Sequence, residues 1–365
     1  SNKGTVIMKP ATAMDSLENE LFKQKKRQEE KISVPIERTV LDNPHIINLR
    51  EVDASQSGKI CGPKAANLGQ LKKMFPDNVV EGLVLPFSVF YQHMNQPIPG
   101  SAISYWQVMN NIFDRGENMK SKGAADADIE TFVLKKLDSL RGLIKVMPFL
   151  PAFTQELQQQ FITVFGQPIG KVPVFVRSDT NMEDLKDFTG AGLNLTVFNV
   201  VDSSKILQGI RDVWASPYTE RSYKWRQRYL NNPENVFPSI LVIPSVNTAH
   251  SGVMITKGIT TGREEDITVA FNRGVGGAVD GQAAESWLLS DDGADQLITP
   301  AREATYLSIP ATGGSVKVKT TFEQRILTPE NRQTLRTLSA RILKELPGSP
   351  GIHTSGPFDM ELGFK

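Results

Sequence analysis

Three charged features, far apart in the chain, are of the types that handle phosphate and magnesium: Lys64, Arg177, and the pair Asp359 and Glu361. Lys64 lies in Gly62-Pro63-Lys64-Ala65-Ala66-Asn67-Leu68, a glycine turn running into a helix with Ala65, Leu68 and Leu71 on one face. A lysine at a helix start opposes the dipole, because cations prefer the C-terminal end. Capture of a phosphate, which the helix N-terminus also attracts, would justify that cost; a solvated lysine is the simpler reading. Arg177 ends the run Val174-Phe175-Val176, and Ser178-Asp179-Thr180-Asn181 follows it. The β-branched and aromatic run predicts a buried strand. The polar cluster can bond nearby amides and so favours a turn. Glu183, Asp184 and the loop Gly190-Ala191-Gly192-Leu193 come next. An arginine delivered into a turn beside a glycine loop suits an anionic ligand. It equally suits an ion pair to Glu183 or Asp184 that closes a surface turn. Phe358-Asp359-Met360-Glu361-Leu362-Gly363-Phe364 alternates with period two, so Asp359 and Glu361 project from one strand face. Such a pair suits Mg²⁺, which takes one or two carboxylates plus substrate phosphates. On a purely solvated face the pair would carry no chemistry.

These groups need a scaffold, and the composition allows one. A length of 365 residues, 39% apolar and 22% charged, fits a soluble globular protein of two or three domains. The net charge of +1 gives no global attraction to nucleic acid or acidic membranes. The single cysteine, Cys61, excludes an internal disulfide framework and a cysteine-rich zinc site. No basic segment with an apolar core opens the chain, and no apolar run approaches the roughly 18–20 residues that cross a bilayer. A reducing, cytoplasmic setting is expected. The start at Ser1-Asn2 and the stop at Lys365 in mid-pattern are those expected of an excised piece.

Residues 1–45 read as a charged extension, with Leu17, Leu21 and Phe22 on a thin helical stripe. Ile46-Ile47-Asn48-Leu49 predicts a strand, and Val84-Leu85-Pro86-Phe87-Ser88-Val89-Phe90 a strand entering a helix. The stretch 100–165 is predicted largely helical, with Leu134, Leu137, Leu140, Leu143 and Ile144 as its core stripe. Ser203 is expected to cap a helix carrying Ile206, Leu207, Ile210, Val213 and Trp214, and Ser216-Pro217 to start another. That second helix carries Arg221, Lys224, Arg226 and Arg228, but no nucleic-acid motif accompanies it. Ile240-Leu241-Val242-Ile243 and Gly252-Val253-Met254-Ile255-Thr256 are expected to pair, followed by a strand over 267–271. The loop Arg273-Gly274-Val275-Gly276-Gly277-Ala278-Val279-Asp280-Gly281 has the glycine content of a phosphate cradle but is neither a Walker A loop nor a dinucleotide fingerprint. Thr328-Pro329 opens an amphipathic helix with Leu335, Leu338, Ile342 and Leu346 apolar.

Taken in order, these segments resemble the nucleotide-binding domain of the phosphoenolpyruvate synthase and pyruvate phosphate dikinase family, which glucan, water dikinases share. Gly62-Pro63-Lys64-Ala65-Ala66-Asn67-Leu68 resembles the family's G-x-K-x-x-x-L turn. Val176-Arg177-Ser178-Asp179-Thr180-Asn181-Met182-Glu183-Asp184-Leu185 resembles V-R-S-S-x-x-x-E-D-L. Gly190-Ala191-Gly192-Leu193 is similar to the glucan dikinase loop, and Val213-Trp214-Ala215-Ser216 to V-W-A-S. Ser251-Gly252-Val253, Gly274-Val275-Gly276 and Asp359-Met360-Glu361 resemble S-G-V, G-L-G and D-I-E.

The resemblance implies an α+β fold: an ATP-grasp-type two-lobed domain with a mixed α/β N-terminal lobe at 46–235, including a helical insertion, and a C-terminal lobe at 236–365. It implies that Lys64 and Arg177 bind ATP phosphates as the catalytic cations and that Asp359 and Glu361, chiefly Glu361, position Mg²⁺. Ile243, Ser245 and Val246 would meet the adenine, and Gly274 and Gly276 would line the nucleotide. Two departures stand out. The family's G-L-G-E reads Gly274-Val275-Gly276-Gly277, and its P-D pair is Glu285-Ser286, which leaves open whether Glu285 compensates as an ATP ligand. In the family the phosphoryl group passes to a histidine on a separate swivelling domain. His45, His93, His250 and His353 lie in no such motif, so that domain is expected as a downstream partner. The expected function is phosphotransfer from Mg-ATP, with an ATP-binding regulatory or scaffolding module as the alternative; no nucleic acid or membrane partner is expected.

Overall fold

The computed structural model describes residues 31–183, 195–277 and 283–365, together with Thr12, Met14 and Ser16. The expected helix with Leu17, Leu21 and Phe22, Asp184, Leu185, the loop at Gly190-Ala191-Gly192-Leu193, and Ala278 to Gly281 of the later glycine loop lie outside the described residues.

Strand β1 (Ile47–Asn48) is shorter than predicted, because the Asn48 side chain accepts the Arg50 amide and turns the chain into a 3-10 turn. Helix α1 (Pro63–Met74) has proline at its first position, where no N–H is needed. The buried strand β2 (Leu83–Leu85) stops at Pro86, from which α2 (Phe87–Asn95) runs. Helix α3 (Tyr105–Ser121) opens on a Ser104–Gln107 capping box, α4 (Asp126–Lys145) on Asp126 and Asp128, and α5 (Pro151–Phe165) on its proline. On α4 the stripe falls as read: Leu137, Leu140 and Ile144 are buried, with Leu134 and Leu143 packed against the same core. After β3 (Val174–Thr180) and β4 (Thr196–Val200), α6 (Ser203–Ala215) is capped by Asp202 rather than Ser203. The Asp202 carboxylate accepts both the Ser204 and Lys205 amides, which a hydroxyl one residue later cannot reach. Ser216-Pro217 makes only a 3-10 turn, and Thr219 caps α7 (Glu220–Tyr229). Strand β5 (Pro238–Pro244) completes an antiparallel sheet of order β1-β2-β5-β3-β4, with the main core packed among it and α2 to α7.

His93 on α2 sits in that core against Phe149, Phe153 and Trp214. Its Nδ1 lies 2.8 Å from the Val89 carbonyl, and the Leu150 amide donates to Nε2 at 3.3 Å. A neutral ring protonated on Nδ1 satisfies both partners. Burial lowers its pKa from 6.5 to about 4. A depressed folded-state pKa contributes stability present above the unfolded value and lost as pH falls toward the folded one. Between pH 7 and pH 5 that loss amounts to about 2 kcal/mol. Denaturant titrations at pH 7 and pH 5 should show it in the native chain and not in His93→Gln; equal losses in both would overturn the assignment.

The second sheet comprises β6 (His250–Ile255), β7 (Ile267–Arg273), β8 (Glu285–Leu289) and β9 (Gln296–Thr299). The chain then forms a hairpin, β10 (Thr305–Ser308) with β11 (Val316–Lys319), and helix α8 (Pro329–Glu345), capped by Thr328 as predicted. It returns as β12 (Asp359–Phe364), giving the antiparallel order β12-β6-β7-β8-β9. The expected pairing of the 240–243 and 252–256 runs is wrong. β5 lies between β2 and β3, and β6 lies between β12 and β7. The patterns fit this: β5 is buried continuously from Pro238 to Val242, as a strand covered on both faces is, whereas β6 alternates because only one face is covered. The passage between sheets falls at 245–249.

Candidate functional site

Register sorts the second sheet into two faces. Met360, Met254, Val269 and Trp287 align across it, with Leu362, Gly252, Phe271 and Glu285 on the same side. Much of this side packs with Leu335 and Ile342 of α8 in the second core. The opposite side carries Asp359, Glu361, Val253, Ala270, Ser251 and Asn272. Asp359 and Glu361 are both exposed, as their alternation predicts. Arg177 reaches that side from β3, with its Nη2 3.7 Å from Glu361 Oε2. The side chains are 29% and 58% exposed, so this is a solvated pair that bridges the two sheets. Its stabilisation is small, but it brings an arginine of the first sheet next to a carboxylate of the second.

Asp179, two residues further along β3 than Arg177 and on the same side of the strand, holds the start of α1, which carries Lys64. The Lys64 and Ala65 amides donate to Oδ1 and Oδ2 of Asp179, both at 2.9 Å. Gly62, the N-cap of α1, has no side chain to do this, and a Cβ there would sit 2.3 Å from Asp179 Oδ1. The glycine is what lets β3 approach the helix end, and the aspartate caps it from a distant strand. The Ser239 hydroxyl ties the arrangement together, accepting the Gly62 amide at 3.0 Å and donating to the Asp179 carbonyl at 2.7 Å. Asp179 is fully buried, and burial pushes its carboxyl pKa up, against the pull of Lys64 and of the two amides. The Lys64 ammonium itself is ion-paired with Glu183. A lysine at a helix start is thus offset by two carboxylates.

Several expectations change here. Of the two alternative turn pairs for Arg177, the one with Glu183 gives way to others: Glu183 pairs with Lys64, and Arg177 with Glu361 of the second sheet, while Asp184 lies outside the described residues. The Lys64 and Ala65 amides at the start of α1, read as part of a phosphate trap, are occupied by Asp179. Glu285, expected as an ATP ligand, has its carboxylate engaged elsewhere. It is 1% exposed on the α8 side of the sheet, and its carboxylate accepts the Ile326 and Leu327 amides, both at 3.0 Å, and the Trp287 indole N–H at 2.9 Å. Gly274 and Gly276 do not present open amides either. The Gly274 amide donates to Ala249, that of Val275 to Leu307, and that of Gly276 to the Ser251 hydroxyl. Gly274 is required sterically, with φ of 68° and a Cβ position 2.1 Å from the Leu307 carbonyl. Ile243 pairs with Phe175 at the end of β5, the Ser245 amide bonds the Pro173 carbonyl at 2.8 Å, and Val246 follows at the crossing between sheets.

Two residues were missed. Asp179 was legible as a carboxylate at i+2 from Arg177 on a strand, beside a helix start lacking its own capping side chain. Asn272, fully buried on the Glu361 side of the sheet, has an Oδ1 without a hydrogen-bond partner among the described residues; no local pattern marks it. No group of three or more His, Cys, Asp or Glu among the described residues could hold a metal ion by itself. The donor set instead fits an ion that arrives with phosphates, since Mg²⁺ needs only one or two carboxylates alongside them. No helix among the described residues is long and apolar enough to cross a membrane.

The pattern of the family described as "Pyruvate phosphate dikinase, AMP/ATP-binding domain" matches residues 59–361, a span that includes Lys64, Arg177 and Glu361. The chain belongs to this family. It is an ATP-binding domain of the dikinase type, in a mixed helix and antiparallel-sheet α+β fold. Among its relatives, a phosphoenolpyruvate synthase of Pyrococcus furiosus is 27% identical over 56% of the chain and 27% of its own length. A phosphoenolpyruvate synthase of Aeropyrum pernix is 31% identical over 60% of the chain and 25% of its own length. A rifampicin phosphotransferase of a Streptomyces species is 25% identical over 84% of the chain and 33% of its own length. The matched part is therefore a quarter to a third of each relative.

Proposed function

We propose that this chain is the ATP-grasp-type nucleotide half of a dikinase-type phosphotransferase, passing a phosphoryl group from Mg-ATP to a histidine on a separate swivelling domain. The observation that carries the reading is the Arg177–Glu361 pair across the two sheets, with the start of α1, which carries Lys64, held by Asp179. ATP phosphates between the sheets would draw Arg177 and Lys64 away from their carboxylates. Glu361 and Asp359 would then hold Mg²⁺, which supplies charge neutralisation on the phosphates. Phosphoryl transfer asks for positioning and charge neutralisation rather than a protein nucleophile. An imidazole nitrogen of the swivelling domain would attack in line, the phosphorus–nitrogen bond forming as the bond to the nucleotide oxygen breaks. The adenine would lie at Ile243, Ser245 and Val246, where the chain crosses between sheets. The lobes are assigned to 46–235 and 236–365, with β5 contributed back to the first, and residues 1–45 form an extension. Cytoplasmic residence follows the same reading.

Saturating Mg-ATP at about 100 times its Kd should stabilise the chain by about 2.7 kcal/mol, read as a raised melting temperature. Arg177→Ala should abolish the shift while leaving the unliganded protein folded, because the pair it breaks is solvated. A folded native chain without any response to Mg-ATP overturns the reading. A second reading, nucleotide binding without transfer, is favoured by Gly277 standing where the resembled motif has Glu. Labelled ATP mixed with a separately supplied phosphohistidine domain separates the two: label on histidine supports transfer, and bound ATP without label supports the module.

A further inference from the structure

We propose that the β10–β11 hairpin is a clasp between the two sheets that governs nucleotide entry and release, with Asn199 as its positioning residue. The nucleotide part of the proposal rests on the functional reading above; the clasp itself rests on hydrogen bonds that the tip makes to the first sheet and that the adjoining end of β10 makes to the second. At its tip, the Asn199 side-chain amide, on β4 of the first sheet, donates to the Pro310 carbonyl at 3.0 Å and to the Gly314 carbonyl at 2.7 Å. The Gly314 amide donates back to the Asn199 carbonyl at 2.8 Å. Asn199 is 1% exposed and has φ of 45°, a left-handed conformation that residues with a β-carbon adopt at a cost. Strain of this kind persists where surrounding contacts enforce it, and here those contacts are the hairpin tip.

The end of β10 that leads into the tip grips the second sheet. The Leu307 carbonyl accepts the Val275 amide of the glycine loop at 3.0 Å and fills the space where Gly274 lacks a Cβ. Asn247, at the crossing between sheets, accepts the Ser308 hydroxyl at 3.2 Å and the Ile309 amide at 3.0 Å. One hairpin therefore links β4, the crossing segment beside the adenine position, and the first residues of the glycine loop. Separating the sheets to admit ATP must either break the three hydrogen bonds at Asn199 or pull on the glycine loop.

The test uses the full chain. Asn199→Gly keeps the left-handed backbone without strain and removes the two side-chain bonds; Asn199→Asp faces the two carbonyls with an anion. Hydrogen exchange over 305–319 should quicken at least about tenfold in both variants, the equivalent of about 1.4 kcal/mol of local opening. Release of a fluorescent ATP analogue should speed several-fold, while the stability of the remaining core changes little. Unchanged exchange in both variants overturns the clasp. Faster exchange with unaltered nucleotide kinetics overturns its control of the site. Absence of nucleotide binding by the native chain, with exchange still faster in the variants, removes the functional reading and leaves the clasp standing.

Discussion

Replacing Asp179 with alanine is expected to destabilise the chain by about 3 kcal/mol, from a lost helix cap and buried amides left without acceptors. The Lys64 and Ala65 amides would lose their acceptor at the buried end of α1, and the Ser239 hydroxyl its weaker 3.4 Å contact. The effect extends to function, because the same carboxylate fixes where α1 begins and hence where Lys64 stands relative to Arg177. Asp179→Asn keeps one acceptor but turns an amide group toward the second N–H, so it should recover only part of the stability. Urea denaturation measures the first effect. Calorimetric Mg-ATP titration of the still-folded Asn variant measures the second, with affinity expected to fall about tenfold or more, the equivalent of losing one modest charge-assisted contact. An Ala variant within 1 kcal/mol of native would show that the α1 terminus is satisfied some other way.

Glu285→Ala should cost more, about 4 kcal/mol, since it strands two buried backbone donors and an indole N–H at once. Ile326 and Leu327 lie in the core just before α8, so their amides have no water to turn to. Glu285→Gln retains one oxygen for the indole and the Leu327 amide but presents an NH₂ to the Ile326 amide, and should lose roughly half as much. The pair of variants also discriminates roles. A residue that contacted ATP would, as Gln, lose nucleotide response with little change in stability. The structure leads to the reverse expectation: reduced stability with an intact Mg-ATP shift. A Gln variant of native stability that ignores Mg-ATP would restore Glu285 to the nucleotide site.

Both cases turn on carboxylates whose partners are distant in sequence, and this marks the boundary of what the sequence determined. Short-range patterns were legible because their causes are short-range. Proline and threonine at helix starts, the apolar stripe of α4, the strand carrying Arg177 and the period-two placement of Asp359 and Glu361 each follow from neighbours within a turn or a pleat. Ordered motifs led to the proposal that Arg177 and Glu361 share one ligand; the ion pair between them only the tertiary structure shows. What a carboxylate does depends on which donors reach it, and only tertiary structure decides that. Glu183 meets Lys64 across 119 residues, Asp179 meets the Lys64 amide across 115, and Glu285 meets Ile326 across 41. Strand parity supplied the other decision. Glu285 and Glu361 are the same residue type in one sheet, and register places them on opposite faces, one against α8 and one toward Arg177. The clasp at Asn199 belongs to the same class: its left-handed backbone and its partners at Pro310 and Gly314 arise from packing between sheets, which no local spacing encodes.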